Sequence, residues 1–149
     1  ALAVSLGIRE RVSFLGWRSD LAELLSDLDV FILTSLNEGT PLSIIEAFAA
    51  GVPVVSTAVG GVPDMFHSQN EVRNDAIRQE GALVPDHSAS ALTDVLNFLI
   101  QNAEIRERCG GRGRLAAKAY DQDLLVGRMS SLYGRLMNKT GLHAEPITK

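Results

Sequence analysis

Between Glu38 and Asp64 the sequence carries one ionisable side chain, Glu46. It stands in the run Ile44, Ile45, Ala47, Phe48, Ala49 and Ala50, which reads as buried on nearly every side. A carboxylate without a partner in such a place costs several kcal/mol, so Glu46 must meet hydrogen-bond donors. The question is which donors those are.

The residues just before Glu46, "EGTPLS" at 38–43, suggest an answer. Gly39 lets a ligand approach the backbone closely. Thr40 reads as a helix N-cap and Pro41 as the first helical residue. The free N–H groups of Leu42 and Ser43 would then point out of the helix start. With the positive end of the macrodipole they form an anion site. Leu42 and Ser43 precede Glu46 by four and three residues and share its face. Helical side chains lean toward the N-terminus, which brings the Glu46 carboxylate to about one turn, ~5 Å, from those amides. Glu38 flanks the same site from the other side. A ligand suited to this order has hydroxyls, then phosphate, then hydroxyls again, as in a sugar joined through pyrophosphate to a ribose. Glu46 would accept from the ribose and Glu38 from the sugar.

Alternating strands and helices position these residues. "RVSFLG" at 11–16 reads as a strand closed by glycine, and "RSDLAELLSDL" as a helix capped by Ser19. "DVFILTS" at 29–35 is apolar on consecutive residues, the pattern of a strand covered on both faces. The helix carrying Glu46 runs to about Ala50, with Gly51 in the C′ role. "VPVVST" at 52–57 is a second buried strand, "VGGVPDMF" a glycine turn into a short helix, and "GALVP" at 81–85 a further strand. Helices over 88–101, 104–118 and 121–138 follow, and residues 139–149 read as a flexible tail. The polar segment 67–80 reads as an exposed loop or short surface helix and is assigned no chemistry. Strands joined by helices of this length imply right-handed crossovers and a doubly wound parallel sheet, a Rossmann-like three-layer α/β/α fold.

Bulk properties narrow the function. The 149 residues, 46% of them hydrophobic, suit one domain with a real core, and the net charge of −4 argues against nucleic acid as the main partner. The single cysteine, Cys109, excludes a disulfide within the chain and is compatible with a reducing compartment. No stretch approaches the ~20 apolar residues of a membrane-spanning helix. A cytoplasmic location is expected, with membrane contact of a longer protein left open. The sequence opens at Ala1, without a Met, in what reads as the end of a helix, and is taken as a fragment truncated at its N-terminus.

"EGTPLSIIEA" is similar to the E-x7-E signature of retaining glycosyltransferases built from two facing Rossmann-like domains, the GT-B architecture, of the family 4 (group 1) type. "RVSFLGWRSDLAELLSDLDVFILTS", "EAFAAGVPVVSTAVGGVPD" and "GALVPDHSASALTDVLNFL" resemble that family in order and spacing over about 110 residues. The resemblance implies that residues 1–138 form the C-terminal, nucleotide-sugar-binding domain. It implies that Glu46 binds the donor's ribose and that Glu38, as the catalytic contact, meets the donor sugar. Gly39, Thr40, Pro41, Leu42 and Ser43 would line the diphosphate, and Phe14, Leu15 and Gly16 would hold the base. No metal or other cofactor is implied. The partners implied are a nucleotide-sugar donor and an acceptor-binding N-terminal domain. That domain, and the family's basic residues that clamp the donor phosphates, would lie before Ala1. Asp64 stands where many relatives have the glutamate of a Pro-Glu pair, which leaves its role open. A non-catalytic nucleotide-sugar-binding domain and another enzyme of the same architecture, such as a nucleotide-sugar epimerase, remain as alternatives.

Other features carry less. "GGRGRLAAKA" at 110–119 contains the glycines of a dinucleotide fingerprint, but no apolar strand precedes it, so it reads as surface helix. His67, His87 and His143 lack ligand spacing, and Cys109 sits among charged helical residues. Trp17 could stack on a base or cover a strand end. The apolar stripe over 124–136 is the pattern of a packed helix face, and by resemblance it would cover the partner domain.

Overall fold

The computed structural model describes residues 2–67, 76–85 and 88–140. Four strands, β1 (Phe31–Leu33), β2 (Val54–Thr57), β3 (Ile77–Arg78) and β4 (Gly81–Val84), form one sheet in the order β1-β2-β4-β3. β1, β2 and β4 run parallel, in the register Phe31↔Val54 and Val54↔Gly81. β3 turns back to pair antiparallel with β4, Arg78 opposite Gly81. The helices are α1 (Leu2–Ser5), α2 (Leu21–Ser26), α3 (Leu42–Ala50), α4 (Ala89–Gln101), α5 (Ala103–Ala117) and α6 (Gln122–Thr140). The fold is thus α/β with a parallel-dominated open sheet. The final helix runs two residues past its expected end, and residues 141–149 of the expected tail lie outside the described residues.

Every residue of β2 and β4 is buried, as expected of strands covered on two faces. Successive side chains point to opposite sides of the sheet and feed two cores. Val54 and Leu83 join Leu25, Ile44, Ala47, Phe48, Val62, Met65 and Phe66 on one side. Val55, Ala82 and Val84 join Ile77, Val95 and Leu99 on the other. The rings of Phe48 and Phe66 meet edge to face with centroids 5.4 Å apart, tying α3 to the segment that follows β2.

Several expectations are corrected. Residues 12–16 form no strand: a single 3₁₀ turn (Arg9–Arg11) precedes an irregular stretch that pairs with none of the four strands. An extended segment gains its ladder hydrogen bonds only from a neighbour, and among the described residues it has none. β1 is an edge strand rather than one covered on both faces, and Ile32 is 44% exposed. The cap of α2 is Asp20, not Ser19. The Asp20 side chain makes no cap bond because the Arg18 guanidinium holds both its oxygens, which also keeps the carboxyl below the ordinary range. Thr40 is not the cap of α3 either. Pro41 is the cap, in extended conformation with φ −67° and ψ 120°, and the helix begins at Leu42. Proline fixes φ without forcing a helical ψ, so the first turn forms one residue later.

Two of the three glycines at 110–119 are not a surface feature. Gly110 and Gly113 are buried where α5 packs on α3, the most extensive helix contact among the described residues. A Cβ on Gly110 would stand 2.1 Å from the Gly51 carbonyl oxygen, and one on Gly113 would stand 3.3 Å from Phe48. Gly51 itself ends α3 at φ 78°, in the expected left-handed cap, and Arg114 from α5 donates to the Ala50 carbonyl at 3.1 Å. Gly110→Ala should therefore destabilise the protein by about 3 kcal/mol through overpacking of backbone on backbone. Gly111→Ala, with nothing within 4 Å of the added carbon, should be neutral or stabilising. Urea denaturation of the two variants checks this, and similar midpoints would contradict the close approach.

Cys109 lies beside these glycines, fully buried, its thiol facing the Arg78 carbonyl at 3.7 Å. Burial pushes the thiol up to about 11, with Arg108 lowering and Glu80 raising it. At pH 8 only about one thiol in a thousand is then a thiolate. Iodoacetamide should leave native Cys109 unmodified and alkylate it only after denaturation, as mass spectrometry would show.

Candidate functional site

The site is built where β1 and β2 end. Beyond β1 the chain turns through residues 34–41 before entering α3, and beyond β2 it turns through 58–61. The two turns are stitched together. Thr57 Oγ1 donates to the Ser35 carbonyl at 2.7 Å, and the Gly61 N–H donates to the Glu38 carbonyl at 3.1 Å. Ser35 Oγ in turn donates to Glu38 Oε1 at 2.6 Å, which orients the half-buried carboxylate and leaves its second oxygen without a described partner. Gly60 and Gly61 permit the close approach. A Cβ at Gly60, where φ is 53°, would stand 1.8 Å from the Glu38 carbonyl oxygen. One at Gly61 would stand 2.4 Å from the Gly39 carbonyl oxygen.

Gly39 and Thr40 are exposed, and a Cβ on Gly39 would meet nothing within 4 Å, so its backbone is open to a ligand. Pro41 is buried and sets the direction of α3. The N–H of Ile44 donates to the Pro41 carbonyl at 3.1 Å, whereas those of Leu42 and Ser43 find no carbonyl among the described residues. Two orphan amides thus stand at the positive end of a nine-residue helix. Leu42 is exposed and Ser43 half-buried.

Glu46 is half-buried rather than enclosed on all sides. The apolar run around it turns Ile44, Ala47 and Phe48 into the core and leaves Ala49 exposed, so α3 is amphipathic in the ordinary way. The carboxylate lines a pocket of about 370 Å³ between α2 and α3, with Leu21, Ala22, Leu25, Ser26, Ala49 and Ala50. It makes no hydrogen bond or ion pair with any described residue. Glu38 and the amides of Leu42 and Ser43 belong to the turn and the helix start, not to the lining of this pocket. Phe14, Leu15 and Gly16 do not line it either: Phe14 and Leu15 are exposed, Arg9 stacks over the Phe14 ring at 5.4 Å, and Gly16 turns at φ 64°.

Ser35, Thr57, Gly60 and Gly61 are the residues that sequence reading missed. Their signal was the pairing of a hydroxyl at the end of each of two consecutive strands with a double glycine after the second. A second concavity of about 430 Å³ lies between residues 64–67 and the C-terminal end of α5, lined in part by Asp64, His67, Glu80, Arg112 and Tyr120. Among the described residues no group of three or more His, Cys, Asp and Glu side chains could hold a metal ion, and no helix is long and apolar enough to cross a membrane. The histidines at 87 and 143 lie outside the described residues.

The comparisons with known proteins agree on one family. The family model described as "Glycosyl transferases group 1" matches residues 1–116. The chain is 32% identical over 134 residues to a D-inositol 3-phosphate glycosyltransferase of Corynebacterium glutamicum, an alignment covering 89% of this chain and 30% of that protein. The fold superposes on a sucrose-phosphate synthase of Thermosynechococcus elongatus with a TM-score of 0.80 at 27% identity, covering 93% of this chain and 33% of that one. It also superposes on Anabaena HepE, solved in complex with UDP, with a TM-score of 0.77 at 23% identity, covering 89% of this chain and 35% of that one. The chain therefore spans about a third of the length of the proteins it matches. With the family model covering most of its length and GT-B glycosyltransferases sharing its fold, the chain belongs to the group 1 glycosyl transferases.

Proposed function

We propose that these residues form the donor half of an enzyme that moves a sugar from a nucleotide diphosphate sugar to an acceptor hydroxyl with retention of configuration. What supports the reading is a pair of carboxylates on one short stretch, Glu38 in the turn before an amide-bearing helix start and Glu46 one turn into that helix. Glu46 has no described partner, and Glu38 is held by Ser35 through one oxygen with the other left over. Both fit a ligand rich in hydroxyls.

In this reading Glu46 accepts from the ribose and the backbone from Gly39 to Ser43 receives the diphosphate. Phe14, Leu15 and Gly16 meet the base, and Glu38 touches the transferred sugar. As the diphosphate leaves, negative charge grows beside the helix start, which stabilises it without reorganisation. The amides and dipole supply this stabilisation, so no metal is invoked. The acceptor would be bound by the part of the natural protein corresponding to the remaining two thirds of its relatives. Support for a nucleotide donor comes from the UDP and UDP-glucose complexes of the structurally similar HepE.

Calorimetry of the complete natural polypeptide against UDP, GDP and ADP tests the reading. Binding of one of them is expected, and Glu46→Gln should weaken it about 10-fold, since a charge-assisted bond to a hydroxyl becomes a neutral one. Absence of binding to all three, or a Glu46→Gln affinity equal to that of the native protein, would overturn it.

A further inference from the structure

The polar segment before β4 holds a buried carboxylate, Glu80, bonded to His67, that the donor site does not use directly. Glu80 is the second residue of the two-residue turn joining β3 to β4, a place normally open to water, yet it is only 2% exposed. Its backbone carbonyl accepts from the Val54 N–H at 3.1 Å, which anchors it at the start of β2. Both carboxylate oxygens are spent on one residue. Oε2 accepts from the His67 backbone N–H at 2.9 Å, and Oε1 lies 2.6 Å from His67 Nδ1. The His67 carbonyl accepts from the Gln79 N–H at 3.1 Å, so residue 67 is fixed at three points.

From His67 a short rigid path leads to the donor site. Phe66 N–H donates to Pro63 O at 3.2 Å, Asp64 N–H to Gly61 O at 3.3 Å, and Val62 N–H to Val59 O at 3.1 Å. These consecutive turns, stiffened by Pro63, end on Gly61, whose N–H holds the Glu38 carbonyl. Val62, Met65 and Phe66 bury their side chains against the core, but apolar contacts fix depth rather than position along the sheet. The directional bonds at His67 supply the missing coordinate.

We propose that His67 and Glu80 are positioning residues, a clamp that holds the Gly60–Gly61 turn against Glu38 and Gly39 and so sets the geometry of the donor site. The link to donor binding rests on the function proposed above; the clamp itself does not. The charged and titratable groups facing it are Asp64, Arg108, Cys109, Arg112 and Tyr120. None of these side chains enters the bonds just described.

Glu80→Gln keeps one acceptor for the two His67 donors, and His67→Gln removes the ring while leaving the backbone bond. In the complete polypeptide either change should speed hydrogen exchange at the Gly61 amide about 10-fold, under conditions where the β2 amides keep their native protection. UDP affinity by calorimetry should fall about 10-fold in the same variants. A merely structural pair would lower the urea midpoint and leave both the Gly61 rate and the affinity of the folded protein unchanged. Unaltered Gly61 exchange in a folded variant, or exchange rising only in step with β2, overturns the clamp. If Glu80→Gln fails to fold, His67→Gln decides, since its side chain is 66% exposed and leaves no cavity. If the native protein binds no UDP, the donor reading for that nucleotide falls while the Gly61 rate still tests the clamp.

Discussion

Glu38→Gln in the complete polypeptide should lower kcat by about 10²-fold or more, with UDP affinity and the urea midpoint little changed. The substitution is isosteric, and the remaining carbonyl oxygen can still accept from Ser35 Oγ, so the local bond at 2.6 Å persists and the fold has no reason to move. What is lost is the second oxygen and the charge. In the proposed reaction the anomeric carbon gains positive charge as the diphosphate departs, and a carboxylate aimed at the sugar interacts more strongly with that state than with the bound substrate. An interaction made mainly in the transition state shows in kcat rather than in binding. UDP lacks the sugar and should not sense the change. A Glu38→Gln enzyme with native kcat would remove Glu38 from the reaction, whatever its place at the end of β1.

Much of this arrangement was legible in the residues, and the failures share a cause. β2 and β4 were readable because consecutive apolar residues such as Val54 and Val55 can be satisfied only between two covering layers. Gly51 was readable because a helix end needs a left-handed residue. These are local requirements. The segment at 12–16 and the exposed face of β1 misled because strand composition says nothing about whether a neighbour is present. The glycines of α5 misled in the opposite direction: their value lies in the backbone of α3 sixty residues earlier, which no local pattern reports. The polar 67–80 segment concealed Glu80 for the same reason, since its partner is thirteen residues away across a turn. The candidate site divides likewise. The E-x7-E spacing announced Glu38 and Glu46, whereas Ser35, Thr57 and the paired glycines act across strands and emerged only with the fold.

Those glycines lead to the other large effect. Gly60→Ala should destabilise the protein by about 3 kcal/mol or more and, in the fraction that stays folded, reduce kcat by an amount comparable to Glu38→Gln. Two costs add. The residue sits at φ 53°, where an L side chain costs about 1–2 kcal/mol. Its Cβ would also lie 1.8 Å from the Glu38 carbonyl oxygen, so one of two backbones must move by more than an ångström. Neither is the flexible end of a side chain. Glu38 lies in the longer of the two turns, and its displacement breaks the Gly61 bond and turns the carboxylate away from the sugar. Against a net stability of about 5–15 kcal/mol this loss is survivable, so the folded enzyme can be assayed. Gly134→Ala, with nothing within 4 Å of the added carbon, serves as the control for glycine replacement itself. Because Gly60 and Glu38 act through one geometry, the double variant should lose little more kcat than Glu38→Gln alone, a non-additivity expected of residues sharing a mechanism. Additive losses would mean that the glycine turn shapes the reaction by a route other than Glu38, and native stability in Gly60→Ala would mean that the two turns do not touch.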